Sequence, residues 1–133
     1  MSAVFADTSY FVALLNPKDA YHTVARARTQ SVVPALVTTE WVLVELANYL
    51  CRVENRRLFI DLVEDLQRHP QVTIIPASSE LFAQGVARYR DRPDKDWSLT
   101  DCISFLVMEH EGLTAALTVD HHFEQAGFSV LLK

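Results

Sequence analysis

Four acidic residues stand at positions in this chain where carboxylates do chemistry. Asp7 directly follows a short apolar run, residues 3–6, and Asp120 directly follows another, residues 115–119. Glu45 lies in an apolar helical stretch between Val44 and Leu46, and Asp101 lies in the first turn of a helical stretch that opens at Ser98. Clustered carboxylates with few histidines suit Mg²⁺ or Mn²⁺, hard ions that take oxygen ligands and keep several waters. Two such ions can activate a water and stabilise the leaving oxygen in phosphodiester cleavage. Some neutraliser is required, because two like charges ~4 Å apart cost about 4 kcal/mol at an effective dielectric of 20.

Each acid also has a purely structural reading. Asp7, with Thr8 and Ser9, can satisfy backbone donors at a strand-to-helix turn. Glu45 can be a core carboxylate paired with an arginine. Ser98 and Asp101 have the spacing of an S-x-x-D capping box. Asp120 can close a strand-end turn. These readings explain the acids one at a time, not why all four fall at the same end of one sheet. Glu40 is a second acid on the Glu45 helix. An offset of five residues turns about 140° around a helix, so the two share no face. Glu40 sits near the helix start, where a negative charge complements the dipole.

The elements that must position these acids follow from periodicity. Strands are expected at residues 3–6, 34–38, 72–75, 115–119 and 128–132. Helices are expected at 9–15, 21–30, 39–53, 56–68, 78–89, 98–111 and 122–125, with a polar loop at 90–96. Val42, Leu46, Tyr49, Leu50 and Val53 recur at helical spacing, as do Leu58, Leu62 and Leu66. Asn16-Pro17, His69-Pro70, Gly112 and Gly127 supply stops, and Ser78 supplies an N-cap. Strands separated by helices imply right-handed crossovers and a parallel sheet covered on both faces, hence an α/β fold. Ligands of such sheets bind beyond the carboxyl ends of the strands, where Asp7 and Asp120 lie.

Composition bounds the rest. The 133 residues, half of them hydrophobic, suit one globular domain covering 1–133. No apolar run reaches the ~20 residues of a membrane span. The apolar opening holds Asp7 and no preceding Lys or Arg, unlike a secretory signal. Cys51 and Cys102 form no close pair, which points to a reducing cytoplasm, and both are expected in the core. Twelve basic against seventeen acidic residues give a net −5, which argues against holding nucleic acid by bulk charge; two divalent cations would bring −5 to −1.

Several other residues have competing readings. His121 and His122 follow Asp120 and suggest a ligand or general base, but a structural role is the simpler reading. Asp96 can reach a metal site through water or be plain loop polarity. Arg88, Arg90, Arg92 and Lys95, and separately Arg52, Arg56 and Arg57, form basic runs suited to phosphate contact or to a solvated face. Trp41 and Trp97 can stack bases, although burial beside the site is expected.

Four segments together resemble PIN-domain proteins, and more closely the VapC-type toxin ribonucleases of prokaryotic toxin–antitoxin pairs. They are Asp7-Thr8-Ser9; Val42-Leu43-Val44-Glu45-Leu46; Asp96-Trp97-Ser98-Leu99-Thr100-Asp101-Cys102-Ile103-Ser104-Phe105; and Leu117-Thr118-Val119-Asp120-His121-His122-Phe123, with Gly127-Phe128 behind. The resemblance runs from residue 4 to residue 128. It implies a three-layer α/β/α sandwich around a parallel five-stranded sheet. It also implies a metal-dependent endoribonuclease, using Mg²⁺ or Mn²⁺, that cleaves structured RNA to a 5′-phosphate and a 3′-hydroxyl. The implied catalytic and metal-binding quartet is Asp7, Glu45, Asp101 and Asp120. The implied partners are the RNA substrate, a small cognate antitoxin and a second copy of the chain, with no membrane involved. A PIN nuclease of RNA maturation and a non-catalytic Mg-binding α/β module remain the alternatives. A receiver or aspartate-nucleophile phosphatase fits poorly: the second acid of Asp-x-Asp is Ser9 here, and the only late lysine is Lys133.

Overall fold

The expected alternation of strands and helices is what the chain folds into. The computed structural model describes residues 3–31 and 35–133. In chain order these form β1 (Val4–Ala6), α1 (Thr8–Leu15), α2 (His22–Ser31), β2 (Leu36–Thr39), α3 (Glu40–Tyr49), α4 (Arg56–Arg68), β3 (Val72–Ile75), α5 (Ser79–Asp91), α6 (Leu99–Glu111), β4 (Ala115–Leu117), α7 (His121–Gln125) and β5 (Ser129–Val130). A short 3₁₀ turn at Val53–Asn55 precedes α4. Pro34, where the second strand was expected to start, lies outside the described residues.

The five strands form one sheet in the order β3-β2-β1-β4-β5, with every neighbouring pair parallel. From β1 to β3 the chain moves one way across the sheet. It then returns past β1 and moves the other way through β4 to β5. Right-handed crossovers therefore place α1–α4 on one face and α5–α7 on the other. The helix contacts agree: α1 packs on α2 and α3, and α3 on α4, while α6 packs on α5 and α7. The reversal of strand order leaves a crevice between the carboxyl ends of β1 and β4, the place where open α/β sheets bind ligands.

Burial follows topology. The central strands carry fully buried residues, among them Phe5, Ala6, Ala116 and Leu117, whereas edge strand β3 has none in that state. Helix α6 is buried at every position from Asp101 to Met108, so it runs through the interior, and apart from Asp101 and Ser104 that stretch is apolar on every side. Phe105 on α6 meets Phe123 of α7 and Trp97 edge-to-face, with ring centroids 4.9 and 5.0 Å apart. Gly85 of α5 faces this helix. A Cβ there would lie 2.5 Å from Cγ1 of Ile103, so glycine sets how closely α5 and α6 approach.

Three expectations need correction. The helix expected over 39–53 ends at Tyr49, and Leu50 is its C-cap. Beyond that point helical periodicity no longer aims side chains at the core, and Cys51 is exposed rather than buried. Cys102, on α6, is buried as expected. The strand expected over 115–119 stops at Leu117, because its neighbours end there: β1 at Ala6, which pairs with Leu117, and β5 at Val130, which pairs with Ala116.

Candidate active site

The four acids arrive at the carboxyl edge by different routes. Asp7 leaves β1 as the residue that precedes α1, and its amide still donates to the Leu117 carbonyl at 3.2 Å. That bond sets Asp7 beside Thr118. Asp120 is the N-cap of α7, its side chain accepting the His122 amide at 2.9 Å. Asp101 is the third residue of α6 and completes a capping box: Ser98 Oγ accepts the Asp101 amide and Asp101 Oδ2 accepts the Ser98 amide. Glu45 projects from the exposed side of α3, away from Val42 and Leu46, which pack inward. All four line one cavity of about 590 Å³, together with Thr8, Ser9, Asp19, Asp96, Ser98 and His122. The structural readings of Asp101 and Asp120 as caps therefore hold alongside their convergence, and do not replace it.

The hydrogen bonds of each carboxylate fall on one of its two oxygens. Oδ2 of Asp7 accepts from Thr118 Oγ1 at 2.9 Å and from Ser9 Oγ at 3.2 Å. Oε1 of Glu45 accepts from the Thr8 hydroxyl. Oδ2 of Asp101 accepts from the Ser98 amide and contacts His122 Nδ1, and Oδ1 of Asp120 accepts from the His122 amide. Among the described residues the second oxygen of each acid has no side-chain hydrogen-bond partner. The two hydroxyls that serve Asp7 are themselves fixed, since Thr118 Oγ1 accepts the Asp120 amide at 3.0 Å and Ser9 Oγ accepts the Val119 amide at 3.2 Å.

Electrostatics makes the crowding costly. Asp7 is 5% exposed. Burial lifts its carboxyl from 3.8 to about 7; the Thr118 hydrogen bond opposes this, and the charges of Asp101 and Glu45 add to it. Burial also raises the Asp101 carboxyl, partly offset by the Ser98 amide, with the Asp120 charge raising it further and His122 lowering it. No lysine or arginine is among the described residues that line the cavity. Unpartnered carboxylate oxygens with no lysine or arginine among the described lining residues form a donor set that suits a hard divalent cation.

The remaining candidates fall elsewhere or at the margin. Glu40 does not line the cavity; its Oε1 accepts the Ala77 amide at 2.6 Å and ties the start of α3 to the segment after β3. Asp96 lines the cavity from an exposed position. His121 is largely exposed, whereas His122 touches two of the acids. In the first basic run Arg88, Arg90 and Arg92 pair with Glu109, Asp91 and Asp94, the solvated-face arrangement. Trp97 is buried, with its indole N–H bonded to Gln125 and Arg92 over its ring. Sequence reasoning missed Thr118 and Asp19. A threonine two residues before an acid at a strand end was the available signal for Thr118. Asp19, in the turn after Pro17, carried none.

Comparison with known proteins agrees with this architecture. The PIN domain family matches residues 4–129. The 23S rRNA-specific endonuclease VapC20 of Mycobacterium tuberculosis is 29% identical over 125 residues, 94% of this chain and 95% of that protein. The crystal structure of M. tuberculosis VapC20, a sarcin-ricin loop cleaving toxin, superposes with a TM-score of 0.86 at 28% identity, covering 95% and 96% of the two chains. FitAcB from Neisseria gonorrhoeae (TM-score 0.64, 18% identity, 96% of each chain) shares the fold. So does VapBC2 from Rickettsia felis bound to a promoter DNA fragment (TM-score 0.66, 11% identity, 97% and 96%).

Proposed function

This chain belongs to the PIN-domain family, and on that premise we propose that it is a metal-dependent endoribonuclease, the toxin of a toxin–antitoxin pair, hydrolysing phosphodiester bonds in structured RNA. The observation that carries this reading is the convergence of Asp7, Glu45, Asp101 and Asp120 on one cavity at the point where strand order reverses. The likeness to a 23S rRNA-specific endonuclease over nearly the whole chain supports ribosomal RNA as the substrate class.

In this reading Asp7, Glu45, Asp101 and Asp120 are the residues that would hold Mg²⁺ or Mn²⁺. The chemistry such ions supply when bound is activation of water and neutralisation of charge on the scissile phosphate and leaving oxygen. The protein contributes orientation: Thr118 and Ser9 fix Asp7, Thr8 fixes Glu45, and the capping box fixes Asp101. The cut leaves a 5′-phosphate and a 3′-hydroxyl. The chain acts as one cytoplasmic nuclease domain, pairs with a second copy and is silenced by a small antitoxin. A basic antitoxin segment is the complement to a cavity lined by acids and free of lysine and arginine.

The test is incubation of the purified protein with ribosomal and total RNA, with and without Mg²⁺ or Mn²⁺, followed by mapping of the new ends. Discrete metal-dependent cuts bearing 5′-phosphates are expected. Intact RNA at every metal concentration would sink the nuclease reading. Cleavage by a protein whose expression leaves growth unaffected, with no antitoxin present, would remove the toxin role alone.

A further inference from the structure

His122 is the second residue of α7, and its side chain is 19% exposed. Its Nδ1 lies 3.1 Å from Oδ2 of Asp101 and 3.3 Å from Oδ1 of Asp120. Its own backbone N–H donates to the same Asp120 oxygen at 2.9 Å. An ionised carboxylate only accepts, so the ring nitrogen bonded to Asp101 is the one carrying hydrogen. His122 thus bonds an acid on α6 through its ring and an acid that follows β4 through its backbone N–H, elements distant in the chain. The neighbouring Phe123 is fully buried and packs on Phe105 of α6, which anchors α7 where the ring can reach. The His121 ring lies beside the His122 ring, centroids 4.4 Å apart.

We propose that His122 is a positioning residue of the metal site, its ring Nδ1–H holding Asp101 and its backbone N–H holding Asp120 so that Oδ1 of Asp101 and Oδ2 of Asp120 remain available to a cation. This rests on the metal-dependent nuclease reading above and extends it to a residue outside the acidic quartet. Two carboxylates that share a site repel and swing apart unless a donor bridges them. Outer partners of this kind hold ligands in place, and losing one typically weakens metal binding about 10–100-fold. A nitrogen hydrogen-bonded to the Asp101 carboxylate is occupied, so this geometry gives Nδ1 neither a general-base role nor direct ligation.

The test compares His122→Phe, His122→Asn and His122→Gln with wild type. Phenylalanine keeps the ring without a donor. Asparagine places an amide donor near the Nδ1 position, and glutamine places one near Nε2. Mn²⁺ affinity is read by titration calorimetry, and RNA cleavage is measured across Mn²⁺ concentrations. The expected result for His122→Phe is Mn²⁺ binding weakened about 10-fold or more, with cleavage recovered at high Mn²⁺ and KM for RNA unchanged. His122→Asn should stay close to wild type in Mn²⁺ affinity, and His122→Gln should resemble His122→Phe. Unchanged Mn²⁺ affinity in His122→Phe, or an asparagine variant as impaired as the glutamine variant, overturns the proposal. If His122→Phe fails to fold, the asparagine-against-glutamine comparison decides. A wild type that binds Mn²⁺ but cuts no RNA overturns the nuclease reading alone, and one that binds no Mn²⁺ overturns both.

Discussion

The buried hydroxyl of Thr118 donates to Oδ2 of Asp7 at 2.9 Å and accepts the amide of Asp120 at 3.0 Å. One oxygen atom therefore sets the orientation of an acid at the end of β1 and the path of the chain into an acid at the end of β4. Thr118→Val keeps the shape and removes both bonds. A stability loss of about 1–3 kcal/mol is expected, because a part-buried amide and a buried carboxylate each lose a partner. Since this bond lowers the Asp7 pKa, its removal should also move the rise of metal-dependent cleavage with pH to higher pH. Thr118→Ser should restore both. Denaturant melts and a pH–rate profile check this, and a valine variant with wild-type stability and profile would show the bond to be incidental.

Asp7→Asn should abolish cleavage yet stabilise the metal-free fold. Burial raises the folded-state pKa of Asp7 to about 7 from 3.8, the hydrogen bond from Thr118 notwithstanding. Between those values the unfolded chain has released a proton that the folded chain keeps, so stability falls as pH rises through this window. The full span corresponds to about 4 kcal/mol at most. In EDTA the variant should melt above wild type at pH 8, and the gap should close towards pH 4. Added Mn²⁺ should raise the melting temperature of wild type more than that of the variant. An active but destabilised variant would return Asp7 to the role of a turn residue.

Glu45 and Glu40 separate cleanly. Glu45→Gln should cut cleavage by about 100-fold or more, the scale of losing one electrostatic stabiliser at a reacting centre. It should leave stability unchanged, since the Thr8 hydroxyl can still bond the amide oxygen. Glu40→Gln should leave cleavage intact and reduce stability by about 0.3–1 kcal/mol through the lost charge at a helix start. Side-by-side cleavage assays and melts of the two variants read this directly, and a reversed pattern would exchange the two assignments.

Gly85→Ala should destabilise by about 1–3 kcal/mol, the range for overpacking a well-packed core, because the new Cβ would meet Ile103 Cγ1 at 2.5 Å. Ile103 lies two residues after Asp101, so cleavage should fall as α6 is displaced. Combining Gly85→Ala with Ile103→Ala should cost less than the sum of the two, which chemical denaturation of the four proteins measures.

What the sequence determined by itself was local. An apolar run ending at Asp7, the S-x-x-D spacing of Ser98 and Asp101, the Asn16-Pro17 break and Gly112 at the end of α6 each act within a few residues through backbone hydrogen bonds and steric limits. For that reason β1, the capping box and the stop of α6, where Gly112 adopts φ of 69°, stand as expected. Which oxygen of each acid is occupied depends instead on partners far away in the chain: Thr118 for Asp7, Thr8 for Glu45 and His122 for Asp101. The Thr118 contact exists only because β4 inserts beside β1 in the order β3-β2-β1-β4-β5, while the others depend on α1 packing against α3 and α6 against α7. The same dependence explains why Thr118 reads as a strand residue until the neighbouring strands end before it, and why Cys51 reads as core until α3 ends before it. Local propensity sets where elements start and stop. The order of strands across the sheet, set by burying both of its faces, decides which polar groups meet at its edge.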